Sequence, residues 1–347
     1  MAEHDLLLHV GAHKTGTTAV QAYLRQCRAA LAAQGVLYPS LRPGWWREMD
    51  AHHKVAQALA RLSLPDRWRL ARYRRHLDRA QSGVRLTVLS AEPVFRHVLG
   101  RPAAHDLEAW FAAHRAYLRR LAAWLRGFRV EPLVYLREPA DFAISMYKEH
   151  VVRRLLRGAE RGLGAFLDST AHYYAYAEHV AALREVFGDA NVRDYGAARR
   201  RGLLVDFTEQ LGVANLPPPA RDDVRSSPSN RATLWLAHDT RTIPRRDHYR
   251  RVLFAVRTGR SGPFAEDAPT TLWPDAATFA RFVERHAASW DLPCVAPPVW
   301  RDLPPAAWTP TDHAAADAAF RDWERRHLEL LRAREARGLA FYEPDPA

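Results

Sequence analysis

Short apolar runs alternate with amphipathic segments along the first part of the chain. Apolar runs at 6–10, 36–38, 85–89 and 132–136 have the length and composition of strands that are buried on both faces. Between them, apolar residues recur at helical spacing, first at about 19–33. Strands that alternate with amphipathic helices are typical of a parallel sheet. The pattern therefore predicts an α/β fold with a central parallel sheet flanked by helices.

The second part of the chain, residues 214–347, mixes proline-rich stretches with helical patterns. Prolines are dense at 293–305, and helical spacing of apolar residues returns at 311–337. We find no internal repeat, low-complexity tract or linker that would separate this part from the rest. The sequence therefore predicts a single domain over 1–347, with a core at 1–213 and a helical, proline-rich C-terminal part packing on it.

The first apolar run ends in a loop of small and hydroxyl residues at 11–18, Gly-Ala-His-Lys-Thr-Gly-Thr-Thr. A helical pattern begins directly after it. Such a turn directs backbone N–H groups and the positive end of the helix dipole at one point, which suits an anion. Gly11 and Gly16 allow close backbone approach, and Lys14 adds a positive charge. The sequence therefore predicts a phosphate-binding loop.

A second informative segment follows the run at 132–136. Arg137 comes directly after this predicted strand, and Ser145 lies in the helical pattern that follows. An arginine suits a phosphate because its guanidinium group donates two parallel hydrogen bonds. The alternative is an arginine that pairs with a nearby carboxylate, Glu138 or Asp141. Glu92 follows another strand and is expected at the same sheet edge as the loop, unless it merely caps a helix.

Together these motifs resemble those of sulfotransferases that use 3′-phosphoadenosine 5′-phosphosulfate (PAPS). The likeness is strongest to the bacterial carbohydrate-sulfotransferase-like group, in which a similar loop contains His-Lys-Thr-Gly-Thr-Thr and a strand ends in Ser-x-Glu. It rests on residues 8–18 and 134–147 and on the order of elements up to about residue 213. The resemblance implies a P-loop NTPase-like three-layer fold, a central parallel sheet flanked by helices, with extra C-terminal helices.

The resemblance also implies a role for each matching position. PAPS would be the donor, and adenosine 3′,5′-bisphosphate (PAP) would be the product. The chemistry implies no metal ion, and the histidine spacing predicts none. The expected nucleotide contacts are the first loop, the Arg–Ser pair and the tyrosine that follows a short polar strand expected at 191–194: His13, Lys14, Thr15, Gly16, Thr17, Thr18, Arg137, Ser145 and Tyr195.

Sulfuryl transfer to a hydroxyl needs a general base within hydrogen-bond reach of that hydroxyl. Candidates near the predicted loop are His52, His53, Glu48 and Glu92. We favour His52, because imidazole titrates near neutral pH and this residue begins a helix after the second strand. A satisfied, partly buried histidine is the alternative. The predicted catalytic set is Lys14, His52 and Glu92.

Composition bears on partners and localisation. The net charge is +12, but basic residues are spread over many helices, and no zinc-finger spacing or RNA-binding signature is present, so we expect no nucleic-acid partner. The sequence shows no signal peptide and no apolar run long enough to span a bilayer, which predicts a cytoplasmic protein and leaves peripheral membrane contact open. Cys27 and Cys294 have no metal-site spacing and form no disulfide framework.

Two other functions fit parts of this sequence. A P-loop kinase would hold Mg²⁺ through the hydroxyl that follows the loop lysine, here Thr15, but no acidic residue of Walker B type is evident. A non-catalytic polyanion-binding protein would leave the spacing of Arg137 and Ser145 unexplained. For a sulfotransferase, we expect a carbohydrate hydroxyl as the acceptor, followed by a small natural product.

Overall fold

The computed structural model describes residues 4–42, 51–156, 162–219, 227–239, 243–266 and 269–336. Within these ranges the strands are β1 (His4–His9), β2 (Val36–Leu37), β3 (Leu86–Ser90), β4 (Phe128–Leu136) and β5 (Asn191–Asp194). They form one parallel sheet in the order β2-β3-β1-β4-β5. The first strand in the sequence therefore lies in the middle of the sheet, and its carboxyl end is flanked by those of β3 and β4.

Helices follow the strands in the predicted alternation. Up to residue 210 they are α1 (Thr17–Gln26), α2 (Arg28–Ala32), α3 (His53–Arg61), α4 (Leu64–Ala80), α5 (Leu107–Trp124), α6 (Pro139–Val152), α7 (Leu163–Ser169), α8 (Tyr176–Phe187), α9 (Tyr195–Arg201) and α10 (Leu203–Gln210). The others are α11 (Asn230–Asp239), α12 (Arg245–Thr258), α13 (Ala276–Arg285), α14 (Ala287–Trp290), α15 (Pro310–Arg326) and α16 (Leu328–Ala336). Among the described residues, no helix combines the length and apolar character needed to cross a bilayer.

The chain divides into two compact units. The first comprises Met1–Phe142, Thr170–Asp223 and His286–Pro298, and it contains the sheet. The second comprises Ala143–Ser169, Val224–Arg285 and Val299–Ala347. The expectation of a single domain over 1–347 stays a prediction.

The core of the first unit forms because the strands are apolar on both faces. Leu7 of β1, Val88 of β3 and Leu133 of β4 are all buried and belong to one hydrophobic cluster with Leu24 of α1 and Phe207 of α10. Helices thus cover the sheet, as the continuous apolar runs require. The predicted α/β fold, with a parallel central sheet flanked by helices, is confirmed.

One predicted helix is divided in two. The segment at 19–33 was expected to be continuous, but the helix breaks at Cys27, whose backbone (φ −91°, ψ 9°) separates α1 from α2. The side chain of Cys27 is 1% exposed, and burial raises the pKa of its thiol. Cys294 is only partly buried, and burial raises the pKa of its thiol as well.

The second unit has an aromatic core of its own. Trp235 of α11 is fully buried and contacts the rings of Phe254 on α12 and Phe320 on α15. Arg251 lies over the Trp235 ring at 5.0 Å and pairs with Asp317 at 2.9 Å, so this charge is neutralised beside the core. Helices at 214–347 were expected from the sequence, and the structure contains them.

Candidate functional site

The loop after β1 brings the chain from the middle strand into α1. Gly16 is the N-cap of α1 and has a left-handed backbone, with φ 71°. Lys14 also has a positive φ, 63°, which is unfavourable for a residue with a side chain. A Cβ at Gly11 would collide with the side-chain methyl of Thr17. The loop is therefore wound tightly against the first turn of the helix, and the two glycines permit that approach.

The N-terminus of α1 suits an anion. Its first N–H groups have no acceptor within the helix, the cap residue Gly16 supplies no side-chain acceptor, and the first turn contains no acidic residue. The helix dipole adds partial positive charge at the same point. Lys14, two residues before the cap, is half-buried in the loop. The loop can therefore offer an anionic ligand backbone donors and an ammonium group.

The threonines of the loop differ in what they can offer a ligand. The Thr15 hydroxyl is buried and donates to the carbonyl oxygen of Ala12 at 2.6 Å. The Thr17 hydroxyl donates to Oε2 of Glu92 at 2.8 Å. Both protons are thus used within the protein, and these residues can serve a ligand only through their N–H groups. Within the described part of the chain, the Thr18 hydroxyl has no hydrogen-bond partner, so it remains available.

Glu92 follows β3 and lies beside the loop, at the sheet edge where the sequence predicted it. Its Oε1 atom pairs with Nδ1 of His13, and Thr17 donates to its other oxygen. Burial alone would raise the pKa of Glu92, but these two hydrogen bonds, together with the charges of His13 and His53, lower it to about 2. A carboxylate this acidic is a poor proton acceptor near neutral pH. Its two oxygens hold His13 and Thr17 of the loop, and its predicted catalytic role stays a prediction.

His52 does not have the environment of a general base, contrary to the sequence-based preference. Its ring is 2% exposed. Nδ1 accepts a hydrogen bond from the backbone N–H of Ser90 at 3.0 Å, and Nε2 donates to the carbonyl oxygen of Pro39 at 3.0 Å. Both ring nitrogens are occupied, and burial lowers the pKa of His52 to about 4. Its ring is hydrogen-bonded to backbone groups at the ends of β2 and β3. His52 therefore matches the alternative given with the sequence, a histidine whose hydrogen bonds are satisfied within the protein.

His53 is the base candidate that remains among the described residues, because Glu48 lies outside them. It begins α3 and is half-buried. Its Nε2 atom faces the amide nitrogen of Gln21 at 3.4 Å, a long contact. Burial lowers the pKa of His53, and the nearby charge of Glu92 partly offsets this. The ring can therefore be neutral near pH 7, as a proton acceptor must be.

Arg137 and Ser145 lie on consecutive segments, as the sequence predicted. Arg137 follows β4, its side chain is 27% exposed, and its guanidinium group reaches Asp141 only at 4.0 Å. The alternative partner, Glu138, accepts instead from the N–H groups of Ala140 and Asp141 and caps α6. Arg137 thus keeps donors for a further anion. Ser145, on α6, belongs to the second unit, so its pairing with Arg137 stays a prediction.

Tyr195 lies close to the loop. It is the first residue of α9, and its ring is 3.9 Å from the position that a Cβ on Gly16 would take. The same Cβ would collide with the side chain of Leu203 at the start of α10. The sequence did not identify Leu203 as part of this site. An apolar residue at helical spacing gives no signal that it packs on a distant glycine.

Gln21 is a second residue that sequence reasoning missed. It is buried on α1, and its amide group donates to the Ser90 hydroxyl at 3.0 Å while facing His53. His9 contacts the same hydroxyl from β1 at 2.8 Å. His9 is buried in the core, and this burial lowers its pKa to about 4. The polar side chains at the carboxyl ends of β1 and β3 therefore form one hydrogen-bonded cluster.

Proteins hold metal ions with sets of histidine, cysteine, aspartate and glutamate ligands. Among the described residues, no group of three or more histidine, cysteine, aspartate or glutamate side chains is placed to hold an ion. The site instead combines the N–H groups and the lysine of the loop with two histidines, His13 and His53, beside the carboxylate of Glu92.

Comparisons with known proteins identify no family. No protein-family model matches the chain, and no curated protein matches it. One similar solved structure is a sulfotransferase from Alicyclobacillus acidocaldarius, 17% identical, with a TM-score of 0.38, covering 64% of this chain and 87% of that chain. Another is a retinol dehydratase in complex with androsterone and inactive cofactor PAP, 12% identical, with a TM-score of 0.33, covering 85% of this chain and 82% of that chain. At these identities and scores, neither likeness supports a conclusion about activity.

Proposed function

We propose that this protein is a sulfotransferase that moves a sulfuryl group from PAPS to an acceptor hydroxyl. The observation that carries the proposal is the loop at residues 11–18. It leaves the middle strand, bends through left-handed Lys14 and Gly16, and enters an α1 N-terminus without a side-chain cap. This geometry suits an anion and occurs with the loop sequence that resembles the PAPS-binding motif.

In the proposed reaction, the acceptor oxygen forms a bond to sulfur while the bond from sulfur to the bridging phosphate oxygen breaks. Negative charge grows on that oxygen, where Lys14 and the N–H groups of the first turn of α1 can stabilise it. Arg137 would hold the 3′-phosphate, and PAP would leave. His53 would take the proton of the acceptor hydroxyl. The acceptor that we favour is a carbohydrate.

The loop is less suited to a kinase. A P-loop kinase uses the hydroxyl after the loop lysine as a Mg²⁺ ligand. Here that residue is Thr15, whose hydroxyl is buried and donates to Ala12. Using it for an ion would require the loop to open. This is a reason to prefer the sulfotransferase over the kinase.

Calorimetric titration with PAP in EDTA tests the proposal, with adenosine 5′-monophosphate and ATP as controls. We expect PAP to bind without metal, and the monophosphate to bind at least about 10-fold more weakly because one charge-assisted phosphate contact is lost. No binding of PAP, or ATP binding that requires Mg²⁺, would reject the proposal.

Two substitutions locate the nucleotide within the site. Lys14→Ala should abolish turnover of PAPS while the protein stays folded. Arg137→Ala should weaken PAP binding at least about 10-fold, because a charged phosphate contact is removed. Arg129→Ala is the matched control, since Arg129 lies on β4, the strand that Arg137 follows, but pairs with exposed Asp5 at 2.7 Å. Equal PAP affinity in the Arg137 and Arg129 variants would place the 3′-phosphate elsewhere.

A further inference from the structure

Helix α4 has an unusual outward face. The helix packs on the protein through Leu70, Tyr73 and Leu77, which are buried. On the opposite side, Leu64 is 81% exposed and Trp68, one turn later, is 52% exposed. Large apolar side chains this exposed are uncommon on the described surface, and two of them are adjacent here.

Most of the other exposed residues of α4 are arginines. The arginines of α4 are Arg67, Arg69, Arg72, Arg74, Arg75 and Arg79. Two acidic residues on the helix neutralise some of them: Asp78 pairs with Arg74, and Asp66 lies near Arg69 and Arg61.

Four arginines of α4 are not neutralised by a carboxylate of the described residues, so they can bind an external anion. Arg67, Arg72, Arg75 and Arg79 are exposed and have no carboxylate partner within the described part of the chain. Arg75 and Arg79 donate only to backbone carbonyl oxygens one turn earlier. Arg72 lies over the ring of Trp68 at 5.4 Å, so the apolar and basic parts of the face are continuous.

We propose that the outward face of α4 docks this protein on an anionic lipid bilayer. The arginines would contact headgroup phosphates, Trp68 would lie at the interface, where tryptophan is favoured, and Leu64 would enter the acyl boundary. A nucleic-acid duplex is the weaker alternative. It would use the arginines but would leave Leu64 in water, whereas a bilayer accounts for both halves of the face.

Vesicle flotation of the full-length protein tests this inference. The two probes are vesicles of phosphatidylcholine alone and vesicles that also contain phosphatidylglycerol. We expect binding to the anionic vesicles only, weakening as salt is added. Arg72→Gln/Arg75→Gln should weaken the partition about 5-fold for each arginine removed. Leu64→Ser/Trp68→Ser should weaken it about 10-fold, because inserted apolar surface is lost.

Matched controls separate the α4 face from overall charge and hydrophobicity. Arg321→Gln/Arg332→Gln removes two exposed arginines from other helices, and Val299→Ser removes an apolar side chain that is 67% exposed. Both controls should float like the unchanged protein. Thermal unfolding identifies any variant that fails to fold. If the leucine–tryptophan variant is destabilised, the arginine pair alone decides the result.

Three outcomes would overturn the inference. The unchanged protein could fail to bind anionic vesicles. The control variants could lose as much binding as the α4 variants, which would assign the effect to total charge. Finally, the α4 variants could keep vesicle binding but lose binding to a DNA duplex, which would make the face a nucleic-acid surface.

Discussion

His52 and His53 are neighbours in the chain, yet their side chains can do different things. His52 is enclosed, and both its ring nitrogens are hydrogen-bonded to backbone groups of Pro39 and Ser90. His53 is half-buried and faces Gln21 through a long contact. The ring of His52 therefore stabilises the fold, whereas the ring of His53 can accept a proton from a ligand.

Substitution of the two histidines should separate these roles. His52→Ala leaves a buried N–H and a buried carbonyl without partners, and we expect it to lower the free energy of unfolding by about 2–3 kcal/mol. His53→Ala should keep its stability but lose at least about 100-fold in kcat, as expected for a missing general base. Urea unfolding and PAPS turnover measure the two effects. An alanine at exposed His105 should change neither, and a stable but inactive His52 variant would restore His52 as the base.

The sequence predicted the close turn at Gly16 but not the burial of His52. The turn could be predicted because a glycine between a strand and a helix permits a left-handed backbone, whereas the contact of Lys14 with a nucleotide stays a prediction. The role of His52 depends on backbone groups of Pro39 and Ser90, which are distant in the sequence and leave no side-chain signal. The hydroxyls of Thr15 and Thr17 were likewise expected to face a ligand, but they bind Ala12 and Glu92.

At the scale of elements, α10 is tied to the sheet by one buried carboxylate. Asp206 is 1% exposed and accepts from Tyr135 of β4 at 2.8 Å. Arg193 of β5 binds both of its oxygens at 2.9 Å, and Arg201 approaches at 3.3 Å. Burial would raise the pKa of Asp206, but these donors lower it. Because α10 also carries Leu203, the network fixes the helix that packs on Gly16.

Asp206→Asn should therefore destabilise the first unit. An amide NH2 group in place of Oδ2 cannot accept from Arg193 or Arg201. Arg193 would also lose its counter-charge, so we expect a loss of about 2–3 kcal/mol in urea unfolding. Glu209→Gln is the control on the same helix, because Glu209 also binds Arg201 but at the surface, and it should cost less than about 1 kcal/mol. Equal losses in the two variants would contradict the assigned role of the network.

Elements could be predicted from the sequence where one interaction dominates. The strands are continuous apolar runs, and burial on both faces leaves them few alternatives. Helix ends and breaks were harder, as at Cys27, because tertiary packing decides where a helix stops. β4 begins at Phe128 rather than at the expected position 132, because pairing with β1 from His4 onward includes the polar residues Arg129 and Glu131.

At the scale of the whole molecule, stability should depend on a set of buried histidines. Three of them surround Trp110 in the first unit, His114, His172 and His179, and the partly buried His97 contacts the nearby ring of Tyr117. Burial lowers the pKa of His97, His114 and His172 to about 4 and that of His179 well below its ordinary value of 6.5. These rings are neutral in the folded protein near pH 7, because a protonated imidazole at a buried position would be deprived of its water of hydration.

The free energy of unfolding should fall as the pH is lowered. Above pH 6.5 these histidines are neutral in both states, so their contribution to stability is complete. Between pH 6.5 and 4, the unfolded chain takes up protons that the folded chain excludes. Each histidine then lowers the free energy of unfolding by up to about 1.4 kcal/mol per pH unit.

We expect the free energy of unfolding in urea to fall steeply between pH 6.5 and pH 4. His105→Gln, at an exposed position, should leave the curve unchanged. A flat profile from pH 7 to pH 4.5 would contradict this prediction.

The two cysteines have a practical consequence. Cys27 is sealed at the break between α1 and α2, whereas Cys294 is partly exposed. A thiol-reactive dye should therefore label Cys294 in the folded protein and reach Cys27 only when that break opens. Because α1 follows the proposed PAPS-binding loop directly, the rate of labelling at Cys27 would report the opening of this region without any engineered probe. Mass spectrometry of the labelled peptides would read that rate, and added PAP should slow it.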